Sequence, residues 1–290
     1  MDRRWIPRLT TFLLIGLLAV VLVPSGTRAD DPGLEDDFAV VEDRVLAPLR
    51  TSTGRRLSYP CTEHLAEARR HAAAGRTDEA LQALDTWLDL HYRHENWCVN
   101  HVQIPRAVGE LGLLLRDDLG EERTADVLEE LTRAWPPPRG GIGTGATLFS
   151  RVDAGVMKAL IQRHAGELRN VFERAAAEIR VTDGEGIPED MSFHQHGPQL
   201  YTGSYGLEYV RGAIRVAALG KGTGLALPPE KMDLLVALVL DGLQGLVPGP
   251  LIDPAAQGRS FSRKGAGRGG RRAAELAREL AALGAPRADE

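Results

Sequence analysis

The chain has 290 residues, with 35 Lys and Arg against 40 Asp and Glu, for a formal net charge of −5. That balance argues against a general nucleic-acid binder, which needs a basic surface, and two cysteines are too few for a small disulfide-stapled scaffold. Aromatic residues make up only 5%, and period-two alternation is nearly absent, which argues against a β-rich domain.

The first predicted element is a leader. Arg3, Arg4 and Arg8 precede an apolar run from Phe12 to Val23, and small residues follow in Ser25-Gly26-Thr27-Arg28-Ala29. The run is too short to span a bilayer and has the layout of a secretory signal peptide, residues 1–29, with cleavage after Ala29. Pro24-Ser25-Gly26 argues against an uncleaved anchor. Four arginines and one aspartate leave with this segment, so the formal charge moves from −5 to −8. Residues 30–290 contain no second long apolar run, which implies a protein secreted to the extracellular or periplasmic space and free of the membrane. Their length suits one large domain or two small ones.

Apolar residues at helical spacing predict helices over 38–49, 62–74, 77–91, 104–115, 124–134, 148–161, 168–179, 207–219 and 229–246, with a last one after Gly270. Short turns bearing Gly or Pro join them in pairs, and no sequence repeat is obvious. The fold class is therefore all-α, built of helical hairpins as a bundle, a solenoid or a closed α/α toroid. An even cysteine count in an oxidising compartment suggests a disulfide between Cys61 and Cys98. An antiparallel hairpin of the 62–74 and 77–91 helices supports it by returning the chain to its starting end. Two buried free thiols are the alternative. A zinc site from His91, His94, Cys98 and His101 matches no standard spacing.

Three linkers are more polar and glycine-rich than connection requires: Pro136 to Thr147, Val181 to Tyr205, and Gly249 to Gly270. All lie before helices, so a toroid would gather them at one rim. Gly265 to Gly270 formally matches GxGxxG, but no strand precedes it and a dinucleotide reading fails. The same linker, with the two residues after it, holds Arg259, Arg263, Lys264, Arg268, Arg271 and Arg272. Guanidinium forks suit carboxylates and sulfates, although a solvated basic tail is the ordinary fate of a charge run. The middle linker is the most informative. Between Asp190 and Gly206 lie His194, His196, Tyr201 and Tyr205, interrupted by Gly197, Pro198, Gly203 and Gly206. This is neither helix nor strand but an ordered loop, where catalytic groups concentrate. A His and a Tyr together offer two proton-transfer groups.

The stretch Ser192-Phe193-His194-Gln195-His196-Gly197-Pro198-Gln199-Leu200-Tyr201-Thr202-Gly203-Ser204-Tyr205-Gly206 resembles the catalytic loop of polysaccharide lyase family 8, the hyaluronate, chondroitin AC and xanthan lyases. Asn96-Trp97 with Ile104-Pro105 resembles that family's aromatic-patch segment. Thr144-Gly145-Ala146-Thr147 resembles its Thr-Gly-Ala-Asn motif, and Gly258-Arg259-Ser260-Phe261-Ser262-Arg263 its Gly-Arg-x-x-Ser-Arg motif. The resemblance runs from about Tyr59 to Gly270. It implies an incomplete α/α toroid, with His196, Tyr205 and Arg259 as catalytic residues. Trp97, Asn96, Thr147, His194 and Arg263 become substrate-binding residues. There are departures: Thr147 stands where the family has asparagine, Cys98 and Val99 replace a tryptophan-rich run, and His101 replaces a glutamate. The chain stops soon after Arg263, where family members usually continue into β-sandwich domains that supply the other wall of the cleft. A partner chain is another source for that wall.

The function implied by the resemblance is an extracellular carbon–oxygen lyase cleaving an anionic, uronic-acid-containing glycan, such as a glycosaminoglycan, by β-elimination. Taking the C5 proton beside a carboxylate requires that the developing charge be neutralised. A tyrosine with an ordinary pKa of about 10 needs cationic neighbours to act as base. Arg259 and Arg263 are placed to supply that field. The same tyrosine then protonates the departing glycosidic oxygen. The scheme uses no metal and no cofactor. The alternative is a non-catalytic, glycan-binding lyase remnant, inactive through Thr147 and the missing β-domains. A helical scaffold with incidental polar loops is a third reading.

Overall fold

The computed structural model describes residues 32–51, 63–137, 143–262 and 268–290. Its helices are α1 (Pro32–Thr51), α2 (Glu63–Ala73), α3 (Thr77–Asp89), α4 (Ile104–Leu114), α5 (Gly120–Thr132), α6 (Gly145–Ile161), α7 (Ala165–Glu178), α8 (Leu207–Gly220), α9 (Pro229–Ala237) and α10 (Gly269–Ala282). Among the described residues the only β-type pairing is a set of isolated bridges joining Val181 to Ile187, Gly186 to His194 and His194 to Leu200.

Composition decides which helices lie inside. In α6 apolar residues occupy nearly the whole circumference, and 14 of its 17 residues are buried. In α5 a charged face leaves only three of 13 buried. Helices α4 and α8 resemble α6 in this respect. The three inner helices run parallel. Gly109 of α4 lies against Met157 of α6, and Gly112, one turn on, against Ile161. Phe149 of α6 packs on Gly212 of α8, and Asp153, one turn on, binds Arg215. The outer helices run back. Val127 and Leu131 of α5 meet Gly112 and Gly109 in reversed order, and Glu178, at the end of α7, accepts the N–H of Gly145 at the start of α6. Parallel inner helices with antiparallel outer partners make an incomplete α/α toroid. Its consequence for function is direct: the N-termini of α4, α6 and α8 all open on one rim.

The far rim is held by α1. Arg44 donates to the Leu219 carbonyl at 2.6 Å, Glu42 pairs with Arg116 at 2.6 Å, and Asp37 accepts the N–H of Gly224 at 2.9 Å. The α2–α3 hairpin docks on α4 through the Arg69–Glu110 ion pair. One predicted helix is not continuous. After α9 the 229–246 segment passes into a π-helical turn, Leu238–Leu243, and a 3-10 turn, Gln244–Leu246. Gly242 is pressed against the Met191 carbonyl there, leaving no space for a side chain.

Candidate active site

The loop before α8 is anchored from below and tightened from the side. Phe193 is fully buried and packs on Tyr209, whose ring also meets Phe149 edge-on at 4.8 Å. Backbone bonds then fix the loop. Gly186 and His194 exchange N–H and carbonyl at 2.9 Å in both directions, and Tyr201 donates to the Phe193 carbonyl at 2.8 Å. The Thr202 hydroxyl accepts the Phe193 N–H at 2.9 Å. A π-helical turn, Thr202–Gly206, delivers the chain into α8.

The result is a three-ring cluster. His196 Nε2 lies 3.1 Å from the Tyr205 hydroxyl oxygen, with the rings edge-on at 5.0 Å. Tyr201 stands edge-on to both, 6.0 Å from His196 and 5.1 Å from Tyr205. His196 adopts φ +59, in the left-handed region, and Gly197 follows at φ +81. Such backbone is tolerated only where the surroundings impose it. Glu185 imposes it. One of its oxygens accepts the N–H groups of His196 (2.8 Å) and Gly197 (3.3 Å). The other accepts from the Gln195 amide and from the Thr144 hydroxyl. Gln195 in turn accepts the Ala146 N–H at 3.1 Å, which pins the loop to the first turn of α6.

The third linker reaches the same cluster. The Arg259 N–H donates to the Tyr201 hydroxyl at 3.2 Å, and the Ser260 and Ser204 hydroxyls are 2.8 Å apart. The Arg259 side chain is exposed, and no ion pair forms to it among the described residues. Gly258 makes the approach feasible: at φ +49, a side chain there would collide with the Tyr201 ring. On the α4 side, Trp97 is 39% exposed, and the guanidinium carbon of Arg151 lies over its ring, 5.7 Å from the centroid.

Residues 66–290 match polysaccharide lyase family 8, N terminal alpha-helical domain. The chain belongs to that family. Chondroitinase-AC of Pedobacter heparinus is 29% identical over 190 residues, covering 64% of this chain and 27% of the relative. Hyaluronate lyase of Thermasporomyces composti is 24% identical over 229 residues, covering 75% and 29%. The chain thus spans little more than a quarter of the length of either. In fold it is similar to the chondroitin AC lyase of Streptomyces coelicolor A3 in complex with chondroitin sulphate, with a TM-score of 0.68 at 18% identity over 91% of this chain and 41% of that one.

This family 8 domain brings His196 and Tyr205 into direct contact and ties Arg259 to them through Tyr201. Other expected site residues have other local duties. Thr147 is buried at 4% exposure, and its hydroxyl donates to the Thr144 carbonyl at 2.7 Å within its own first turn. The Asn96 side chain accepts the Cys98 N–H at 3.0 Å and so caps the helical segment that begins at Trp97. The His194 ring faces the Ser192 hydroxyl at 3.5 Å. Arg263 and Cys61 lie outside the described residues. The expected Cys61–Cys98 bridge falls outside them with Cys61, while Cys98 carries a free thiol. Cys98 has left the α2–α3 hairpin and turned inward, where Gln103 hydrogen-bonds its sulfur beside Arg151, and burial pushes its pKa up. The neighbouring histidines have local duties: the His94 ring accepts the Asn96 N–H, and the His101 ring bonds the Arg133 carbonyl. Sequence reasoning gave no role to Glu185, Gln195, Tyr201 or Arg151. Only Tyr201 carried a signal, standing four residues before Tyr205.

Proposed function

We propose that this domain is the catalytic-loop half of a polysaccharide lyase acting on an anionic, uronate-containing glycan. The observation that carries the reading is the 3.1 Å contact between His196 Nε2 and the Tyr205 hydroxyl. With Nε2 as acceptor, the imidazole takes the phenolic proton and leaves Tyr205 as base. Tyr205 then removes the C5 proton of the uronate. The C–H electron pair becomes the C4=C5 double bond, the C4–O bond breaks, and the departing oxygen takes the proton from Tyr205. The charge developing on the uronate carboxylate is met by Arg259 and by the aligned N-termini of the inner helices, whose dipoles favour anions. Relatives named for chondroitin, hyaluronate and xanthan cleavage support the substrate class. The reading includes export, on the basic–apolar–small pattern of residues 1–29.

One observation favours the alternative, a glycan-binding domain without turnover: the Thr147 hydroxyl is committed to its own helix. The two separate in one experiment. Chondroitin, hyaluronan and xanthan are each incubated with wild-type protein and with Tyr205→Phe, and the ultraviolet absorbance of the unsaturated product is followed. Wild-type product that vanishes in Tyr205→Phe, with calorimetric affinity held within about threefold, supports the lyase. Product formed equally by both proteins removes Tyr205 from the mechanism, and binding without product in either favours the alternative.

A further inference from the structure

Among the described residues four charged side chains are buried: Arg69, Glu130, Arg151 and Glu178. Three are ion-paired, Arg69 with Glu110, Glu130 with Arg133 and Arg93, and Glu178 with Arg174. Arg151 differs. It is 2% exposed, Nε and Nη2 find no hydrogen-bond acceptor, and no carboxylate pairs with it among the described residues. An unpaired buried charge is costly, and burial holds this guanidinium below its ordinary pKa. What Arg151 does touch is the Trp97 ring, at 5.7 Å from the centroid, with the Cys98 thiol beside it. Since Arg151 is buried and Trp97 is 39% exposed, the ring stands between an uncompensated cation and solvent.

We infer that Arg151 makes Trp97 a charge-selective platform, so that the sugar seated on it carries a carboxylate or sulfate rather than a neutral substituent. The inference rests on the reading of this rim as a glycan cleft and adds a specificity residue to it. Arg151 lies one helical turn after Thr147, on the same face of α6. With the Thr147 hydroxyl committed to Thr144, the unspent donors and charge on that face belong to Arg151. An anionic group stacked about 3.5–4 Å above the ring is roughly 9 Å from the guanidinium. At an effective dielectric of about 20 that separation favours an anion over a neutral group by about twentyfold at low ionic strength, and salt erodes the preference.

The test is calorimetric binding in a Tyr205→Phe background, so that no probe is consumed. The probes are an unsulfated chondroitin hexasaccharide and its carboxyl-reduced, neutral counterpart. Arg151→Met is expected to weaken the charged probe about twentyfold and the neutral probe less than twofold. Arg151→Lys is expected to keep most of the preference. Cys98→Asp, which sets a carboxylate beside the guanidinium without deleting it, is expected to lose the preference as Arg151→Met does, and it covers the case in which Arg151→Met fails to fold. An unchanged ratio of the two affinities in folded Arg151→Met or Cys98→Asp overturns the inference while leaving the lyase reading intact. An equal loss when Trp97 is already alanine also overturns it, because the charge then acts elsewhere. Failure of both probes to bind any of the proteins removes the cleft itself, and the inference with it.

Discussion

Replacing Gly258 with alanine probes the packing of the His196–Tyr201–Tyr205 ring cluster without touching the proton-transfer groups proposed above. A Cβ at this position falls 2.1 Å from Cε1 and 2.2 Å from Cζ of Tyr201, on a backbone with φ +49. The left-handed conformation costs an L-residue about 1–2 kcal/mol, and displacing a packed ring to relieve the overlap costs about 1–3 kcal/mol more. Tyr201 cannot yield alone, because it stands edge-on to both His196 and Tyr205 and accepts the Arg259 N–H. Gly258→Ala is therefore expected to lose roughly 2–5 kcal/mol of stability, a fall of about 5–15 °C in Tm for a domain of this size. A shift on the order of 1 Å at Tyr205 is expected to cut turnover about 100-fold. Circular-dichroism melting and product absorbance measure the two effects. In a Tyr201→Ala background the overlap disappears, and only the backbone cost of about 1–2 kcal/mol remains. Wild-type melting and turnover in Gly258→Ala, or an equal loss in both backgrounds, would refute the argument that the ring transmits the strain.

Glu185→Gln presents an amide to donors that a carboxylate accepts, so His196 loses the support that holds its backbone. Turnover should fall by about 10- to 100-fold with little change in KM and with Tyr205 untouched; a change confined to KM contradicts a positioning role. Asp153 tests the core. Burial raises its pKa, but the guanidinium groups of Arg215 and Arg106, with Arg211 beyond, more than reverse this and hold the carboxyl below its ordinary range. A depressed folded-state pKa contributes stability that is present above about pH 4 and lost as pH falls through the folded value. Asp153→Asn should thus cost about 3–5 kcal/mol at pH 7, and its gap from wild type should narrow in denaturant melts at pH 3. An equal gap at both pH values contradicts the assignment.

Much of the fold was legible because inner and outer helices differ in how apolar residues are distributed around them, as in α6 against α5. The π-helical turns at Val99–Gln103, Thr202–Gly206 and Leu238–Leu243 were not, since one extra residue per turn hardly disturbs an apolar period. The His196–Tyr205 pair was legible from a loop that neither helix nor strand explains. Glu185 was not, because its role lies in bonds to the backbone of residues 11 and 12 positions away, which no spacing rule encodes. Thr147 looked available in sequence, and only the geometry reveals that its hydroxyl is turned into its own helix. Arg151 is informative through the acceptors it lacks, and a missing partner cannot be read from a linear chain.

The opposed rims have a practical consequence. The turn from α6 into α7, through exposed Gln162, and the turn after α8, at exposed Lys221, emerge on the side braced by α1. They are separated from the His196–Tyr205 loop by the full length of the inner helices. A linker attached at either point would tether the domain to a bead or sensor chip with the His196–Tyr205 rim facing the bulk. Long polymeric ligands could then be threaded past an immobilised domain without the support competing for the same edge.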